Sequence, residues 1–408
     1  MPKMIADSYI LLTRVPIYQK FDVLYADDLW EKDLSAHMRY ISDFSICCPV
    51  VLVCGGVENL RRVDGLSQSK VLRLRTDEGW ASAAANFFPN LLQIIRATKR
   101  SEIVHTTCAG WAFPLAYYIL LLRPFVRFQW INVVESSFWR KPTSGPVTLR
   151  QNISHYVNDF LVTRCVKASD ARIFTQDWYR AHYLGSHHAT IVNTAVWIDD
   201  DNFRSDKDLE AAHTKPAPSR FIFPARLTHE KGVDTVIAAV EKWDIRFNDL
   251  PGPMLEIDII GQGVLAERCR NFIANRKPGG CLRMKFLEPV PYGPAFFDLL
   301  RNYSAAIVAN RQAEQARILF DVMAQGVACF ASDTSGNQAV IEDGNTGVIF
   351  PVDDAFALAA LFERAARDQI WLHGMGRNAL AAARGFSHSA MHVEREQFLH
   401  KTLNIGHR

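Results

Sequence analysis

The 408 residues carry 46 lysines and arginines against 43 acids, a formal charge of +3, with 49% hydrophobic and 22% charged residues. That balance excludes a disordered chain and gives no dedicated nucleic-acid footprint; a mildly basic surface suits an anionic small ligand or an anionic membrane surface. The length accommodates two domains of ordinary size.

The N-terminal stretch MPKMIADSYILLTR has too short an apolar core for a signal peptide, reaching Asp7 and Arg14 quickly. Up to about Val196 the chain alternates strand-like runs (Val50 to Gly56, Glu102 to His105, Val126 to Val134, Ala171 to Phe174, Ala189 to Val192) with helical patterns at Ala83 to Ala97 and Asn152 to Val166. Such alternation predicts a parallel α/β domain over 1–196. His105 and Glu135 each follow a strand, where ligands collect in open α/β sheets. For His105 the alternative is a turn cap, and for Glu135 a pair with Arg140. Eight cysteines at 47, 48, 54, 108, 165, 269, 281 and 329 form no C-x-x-C pair and read as free thiols of a reducing compartment, with no zinc site. Thr106 to Leu122 is uncharged but contains Pro114 and falls short of the about 20 apolar residues a membrane helix needs. It reads as a buried helix. Trp111 to Leu122, followed by Arg123, Arg127 and Trp130, also mixes apolar, aromatic and basic groups in a manner suited to a bilayer interface.

Residues 197–219 are polar, end in Lys-Pro-Ala-Pro-Ser and read as a linker. A second domain over 220–380 follows, with strands expected at Phe221 to Ala225, Met254 to Ile260, Leu282 to Phe286, Ala305 to Ala309, Val327 to Ala331 and Gly347 to Phe350. Separated by helical segments, they predict a six-stranded doubly wound sheet. Residues 381–408 hold a terminal helix from about His388.

Three stretches of this half carry chemistry. Arg226-Leu-Thr-His-Glu-Lys231-Gly232 sits between a strand and a helix, so two cations beside a helix start form an anion site. Gly261-Gln-Gly263-Val-Leu-Ala266 matches the dinucleotide fingerprint, but after the second strand, not the first; tight-turn geometry without a ligand is the equal alternative. Glu314 and Asp321 lie seven residues apart. If Glu314 occupies the first helical turn, both carboxylates share one face, roughly 10 Å apart along the axis. Gly326 then stops the helix, and the loop Asp333-Thr-Ser335-Gly336-Asn follows the next strand.

From about Arg220 to Asp368 the chain resembles the retaining GT-B glycosyltransferases of family 4, which includes sucrose synthases and bacterial polysaccharide transferases. The resemblance rests on Phe320-Asp321-Val-Met-Ala-Gln-Gly326, on Ala331 to Gly336, and on Glu342-Asp-Gly-Asn-Thr-Gly-Val-Ile-Phe-Pro351. That family places two glutamates with seven residues between them in a segment ending LEAMA-x-G. Here Asp321 replaces the second, Ala313 stands where the first belongs and Glu314 follows it. Gln315-Ala316-Arg317 replaces the usual Gly-Phe-Gly. No glycine occurs in the first 30 residues, where the family has a Gly-Gly loop; Gly55-Gly56 is the only nearby substitute.

The resemblance implies a GT-B architecture: two Rossmann-like doubly wound domains facing a central cleft, the first on the acceptor side and the second holding the nucleotide sugar. It also implies a terminal helix that crosses back onto the first domain. A retaining, metal-independent transfer of a sugar from a nucleotide-diphosphate sugar to an acceptor hydroxyl is expected, in bacterial polysaccharide or lipopolysaccharide-type assembly. No cofactor beyond the donor is expected. Catalytic roles fall to Glu314, Arg226 and Lys231, donor contacts to Gly261, Gly263, Arg317, Asp321, Ser335 and Gly336, and acceptor-side contacts to His105, Glu135 and Arg140. Expected partners are the nucleotide sugar and a glycan or lipid-linked acceptor, with no nucleic acid. The expected location is the cytoplasm, with the inner face of the membrane as a candidate contact. The residues leave open an NAD-dependent oxidoreductase built on the 261 loop, a non-catalytic GT-B binding protein, and a GT-B nucleotide-sugar epimerase.

Overall fold

The computed structural model describes residues 4–76, 79–108, 113–135, 147–184, 189–214, 218–247, 254–276 and 281–403. The chain divides into two compact units. One comprises Met1–Arg140, Leu149–Ala195 and Ser389–Arg408, the other Lys141–Thr148 and Val196–His388.

In the first unit the described strands are β1 (Tyr9–Leu12), β2 (Ile17–Lys20), β3 (Val23–Ala26), β4 (Phe44–Leu52), β5 (Arg61–Arg62), β6 (Val71–Leu74), β7 (Ile103–Thr107), β8 (Gln129–Val134), β9 (Ala171–Phe174) and β10 (Thr190–Val192). They run in the order β10-β9-β8-β7-β1-β4-β2-β3-β5, with β6 also on β4. Pairing is parallel from β10 through β4, while β2 with β3 and β3 with β5 are antiparallel. β1 is central and buried at all four positions, yet its four residues are too few to show a period. The strand expected at Val50 to Gly56 lies earlier, at Phe44–Leu52, because its first half pairs with β1 and β6 and only Val50 to Leu52 pair with β2. Gly55 lies beyond it and accepts a bond from Lys20 Nζ at 2.8 Å.

The Leu115–Leu122 helix is a core element. Residues 115–119 and Leu122 are buried, whereas Leu121 and Phe125 are exposed. Trp111 lies outside the described residues. Among those described, no helix is long and apolar enough to cross a membrane. Six of the eight cysteines are buried, Cys54 is exposed, and none is joined in a disulfide.

The terminal helix His388–Thr402 contributes Leu399, and Leu403 follows, to the first unit's core. It also brings His392 Nε2 within 3.1 Å of Asp33 Oδ1 and packs the His392 ring edge-on to His37, with centroids 4.8 Å apart. Burial holds the His392 imidazole down to about 3, against the pull of Asp33. A histidine held neutral below its unfolded value leaves stability intact above pH ~6.5 and removes it progressively as pH falls toward the folded value. The melting temperature is therefore expected to drop between pH 7 and pH 5, and His392→Gln to flatten that slope. A wild-type melting curve independent of pH over this range would contradict the burial argument.

The second unit holds β11 (Ser219–Pro224), β12 (Leu255–Ile260), β13 (Leu282–Leu287), β14 (Ala305–Val308), β15 (Ala328–Ser332) and β16 (Gly347–Phe350). Their order is β13-β12-β11-β14-β15-β16, with every pair parallel. Successive side chains enter opposite cores: Phe221 and Phe223 face one, Ile222 the other, and Ala305 and Ile307 likewise alternate with Ala306 and Val308. A sheet covered on both faces explains why these strands read as continuous apolar runs.

The polar stretch 197–219 is not a bare linker. It contains the helix Asp206–His213, capped by Ser205, whose hydroxyl accepts the Asp208 N–H at 3.1 Å. One buried side chain, Leu209, anchors it. The leucine packs where Gly326 lacks a side chain, since a Cβ there would come within 2.7 Å of Leu209 Cδ1. A single apolar anchor gives no detectable period, so composition alone suggested a linker.

Candidate active site

Arg226 and Lys231 stand in the connection after β11, and Asn310 to Arg317 in the connection after β14. Both strands end on the same edge, where a parallel sheet gathers its ligands. A cavity of about 200 Å³ lies between these connections, lined by Arg226, Lys231, Asn310, Glu314 and Arg317 among others.

The cation loop is braced from three sides. Gly232 adopts a left-handed φ of 75° as it enters the helix Val233–Phe247, and a Cβ there would sit 2.0 Å from the Ala309 carbonyl oxygen. Arg311 supplies part of this bracing: its backbone N–H donates to the Glu230 carbonyl at 2.9 Å and its Nη1 to the His229 carbonyl at 3.2 Å. Its Nε pairs with Asp353 at 2.5 Å. Burial pulls the Lys231 amine below the usual lysine range, Glu314 pulls it back up, and Arg226 and Arg317 push it down again. Lys231 thus lies in the field of both arginines and of two carboxylates, Glu314 the stronger and Glu230 the weaker.

Glu314 is not on a helix. The helix is Ile318–Ala324, so Glu314 precedes it by four residues, in a bent segment. The expected common face for Glu314 and Asp321 is therefore corrected. Packing sets the difference: Gly336 lies so close to the Glu314 and Gln315 backbone that a Cβ would fall 2.4 Å from the Glu314 carbonyl oxygen. That contact holds the segment out of helical geometry. Asp321 is instead buried, accepting the Tyr292 hydroxyl at 2.7 Å, and does not line the cavity. Ser335 opens the short helix Ser335–Gln338, and its buried Oγ has no protein partner.

Gly261 and Gly263, with φ of 149° and 152°, line no part of the cavity. Their missing side chains admit the neighbouring connection: a Cβ on Gly261 would meet the Ala225 carbonyl oxygen at 1.8 Å, and one on Gly263 the Leu227 oxygen at 2.4 Å. Leu227 then exchanges backbone bonds with Gln262 and Leu265. Loop packing alone accounts for both glycines. Gly261→Ala is expected to destabilise the protein by about 2–4 kcal/mol through strain and displaced backbone, read as a lower urea midpoint. An unchanged midpoint would contradict the packing.

The first-unit candidates are placed within their own unit. His105 lies inside β7 and not after it, paired in register with Leu11 and Ile131. It is buried, its Nδ1 is 2.6 Å from the Tyr9 hydroxyl, and burial holds its imidazole well below the usual range. Glu135 follows β8, exposed, and its carbonyl accepts the Thr175 hydroxyl at 3.2 Å. Arg140 lies outside the described residues.

Sequence reasoning missed Asn310. It is 4% exposed, lines the cavity, and its Nδ2 is buried without a hydrogen-bond partner. Such a group normally has a partner, so a ligand acceptor fits the position. Its placement just after an apolar strand was the available signal.

Residues 205–381 match the family model described as glycosyl transferases group 1. The amylovoran biosynthesis glycosyltransferase AmsK of Erwinia amylovora is 28% identical over 174 residues. That match covers 42% of this chain and 40% of the relative, so less than half of each is compared. Among solved structures, Anabaena Alr3699/HepE, determined with UDP and glucose, aligns over 97% of this chain and 100% of its own. The TM-score is 0.64 at 13% identity. Sucrose-phosphate synthase of Thermosynechococcus elongatus aligns over 97% and 98%, with a TM-score of 0.67 at 14% identity. The fold is α/β of the GT-B type.

Proposed function

We propose that the protein is a retaining glycosyltransferase moving a sugar from a nucleotide-diphosphate sugar to an acceptor hydroxyl. The observation that carries the reading is one cavity at a parallel-sheet edge lined by Arg226, Lys231, Glu314 and Arg317, within the segment that matches the group 1 family. As the C1–O bond breaks, both electrons leave with the nucleoside diphosphate and negative charge grows on its terminal phosphate. Preorganised cations favour that state over the intact donor. Arg226 and Lys231 supply the charge, so the step needs no metal. The Glu314 carboxylate stabilises the positive charge left on the sugar ring. The acceptor oxygen bonds C1 on the face the diphosphate leaves, and its proton passes to the departing phosphate oxygen, which retains configuration. Asp321, held by Tyr292, is assigned to the ribose, and the Ser335 hydroxyl to a phosphate oxygen.

The UDP complex of HepE favours uridine among nucleotides, and the AmsK likeness favours polysaccharide assembly. Thermal shift against UDP, GDP, ADP, NAD(H) and their sugar conjugates, followed by turnover assays with each stabilising donor, tests the reading. Stabilisation by a nucleoside diphosphate and its sugar, with sugar transfer or slow donor hydrolysis, is expected. Stabilisation by NAD(H) alone would overturn it in favour of an oxidoreductase.

A further inference from the structure

The first unit presents an apolar face that its own core does not use. On the helix Leu149–Ala168 the buried residues Asn158, Val162, Cys165 and Val166 face the sheet. Leu149, Ile153, Tyr156, Val157 and Phe160 recur at helical spacing on the opposite side and are 75%, 56%, 64%, 51% and 60% exposed. At about 100° per residue these five fall within one stripe roughly a quarter of the circumference wide. A globular helix has no reason to place its apolar stripe in water. The helix Trp80–Lys99 repeats the pattern, with Phe88 at 71% and Leu92 at 58% exposed. Both helices pack against Leu115–Leu122, and the three share one core on the same side of the sheet. Their outer faces therefore belong to one surface, to which exposed Leu121 and Phe125 also belong.

Charge identifies the occupant. The exposed positions of the Leu149–Ala168 helix hold Arg150, Arg164 and Lys167 and no acid, and those of the Trp80–Lys99 helix hold Arg96 and Lys99 and no acid. Arg164 and Lys167 in one helix, and Arg96 and Lys99 in the other, continue the apolar stripe at the C-terminal end, while Arg150 lies at the N-terminal end of its helix. Asp159, the acid within the Leu149–Ala168 helix, is turned inward to His182 at 2.9 Å and Tyr183 at 3.2 Å. From residue 80 to 168 the sequence has ten lysines and arginines against three acids, although the whole chain is nearly balanced. A second copy of this face would set like charges against each other. An acid-free face of exposed aromatic and aliphatic groups bordered by arginine and lysine matches an anionic bilayer, whose headgroups take the cations while the acyl boundary takes the side chains. We infer that the protein docks on anionic membrane through the outer faces of the Trp80–Lys99 and Leu149–Ala168 helices. The inference is independent of glycosyl transfer.

Flotation of the full chain with phosphatidylcholine vesicles, with and without about a third phosphatidylglycerol, tests it at low and high salt. Binding is expected only to the anionic vesicles, weakening with salt. Each basic residue near such a surface adds about fivefold, so Arg164→Glu/Lys167→Glu is expected to lower the partition coefficient at least tenfold. Ile153→Glu/Phe160→Glu should do the same, with the melting temperature and nucleotide thermal shift unchanged because these positions are already in water. The double arginine–lysine variant, which replaces no apolar residue, keeps the test decisive if the apolar one melts early. No flotation of the wild type at low salt, or equal flotation of both variants, overturns the inference. A wild-type dimer that Ile153→Glu/Phe160→Glu converts to monomer would reassign the face to self-association.

Discussion

Lys231→Ala is expected to reduce kcat/KM for the donor roughly ten- to hundredfold, because losing one charge-assisted contact costs about 1.5–3 kcal/mol. Arg226→Ala should fall by at least about tenfold on the same grounds. Neither change should unfold the protein: Arg226 is exposed, and the loop's geometry depends on Gly232 and on the Arg311 bonds, not on the lysine. Burial has already depressed the Lys231 amine from 10.5, and only its protonated form attracts phosphate. Nucleoside-diphosphate binding should therefore weaken as pH rises through that lowered value, before an ordinary lysine would titrate. Lys231→Arg should abolish this pH dependence while restoring part of the affinity. Isothermal titration across neutral to alkaline pH, with steady-state rates on the alanine variants, measures both effects. Near wild-type rates in a stable Arg226→Ala/Lys231→Ala double variant would refute the phosphate assignment.

Glu314→Gln separates binding from chemistry. The amide preserves size and most hydrogen bonding but removes the charge that opposes the developing cation on the sugar, an electrostatic contribution worth roughly a hundredfold in turnover. Binding of the nucleoside diphosphate, which lacks the sugar, should change little. Removing the carboxylate also leaves Lys231 without its strongest electrostatic support, so its amine should titrate lower still. A shift of the alkaline limb of nucleotide binding to lower pH in Glu314→Gln is thus a second signature, independent of turnover. Full activity in Glu314→Gln would end its catalytic assignment. Asp321→Asn is the contrast: its proposed partner is the ribose and it lies off the cavity that Glu314 lines, so the loss should appear in nucleotide affinity and not in the chemical step.

The second unit was legible because its information is local. Continuous apolar runs mark strands buried on both faces, and all six expected strands occur within one or two residues of the sequence reading. Arg226, Lys231, Glu314 and Arg317 could be named in advance because a parallel α/β unit sends its strand ends to one edge, whatever the loop details. What required the tertiary structure is every feature set by a neighbour distant in sequence. The helix after β14 begins at Ile318 because Gly336 presses on the Glu314–Gln315 backbone, which no pattern within 310–325 encodes. The glycines of the 261 loop resemble a ligand fingerprint, yet their steric demand comes from Ala225 and Leu227 across the sheet edge. His105 joins a buried group with Tyr9, and His392 one with Asp33, because strands and helices far apart in sequence converge there. The Leu149–Ala168 helix has apolar residues on both sides, so its sequence cannot say which side is covered. Only packing on the sheet decides that Val162 and Val166 are inside and Ile153 and Phe160 are in water. Local periodicity determines which elements form, while the choice of face and register belongs to contacts that exist only once the chain has folded.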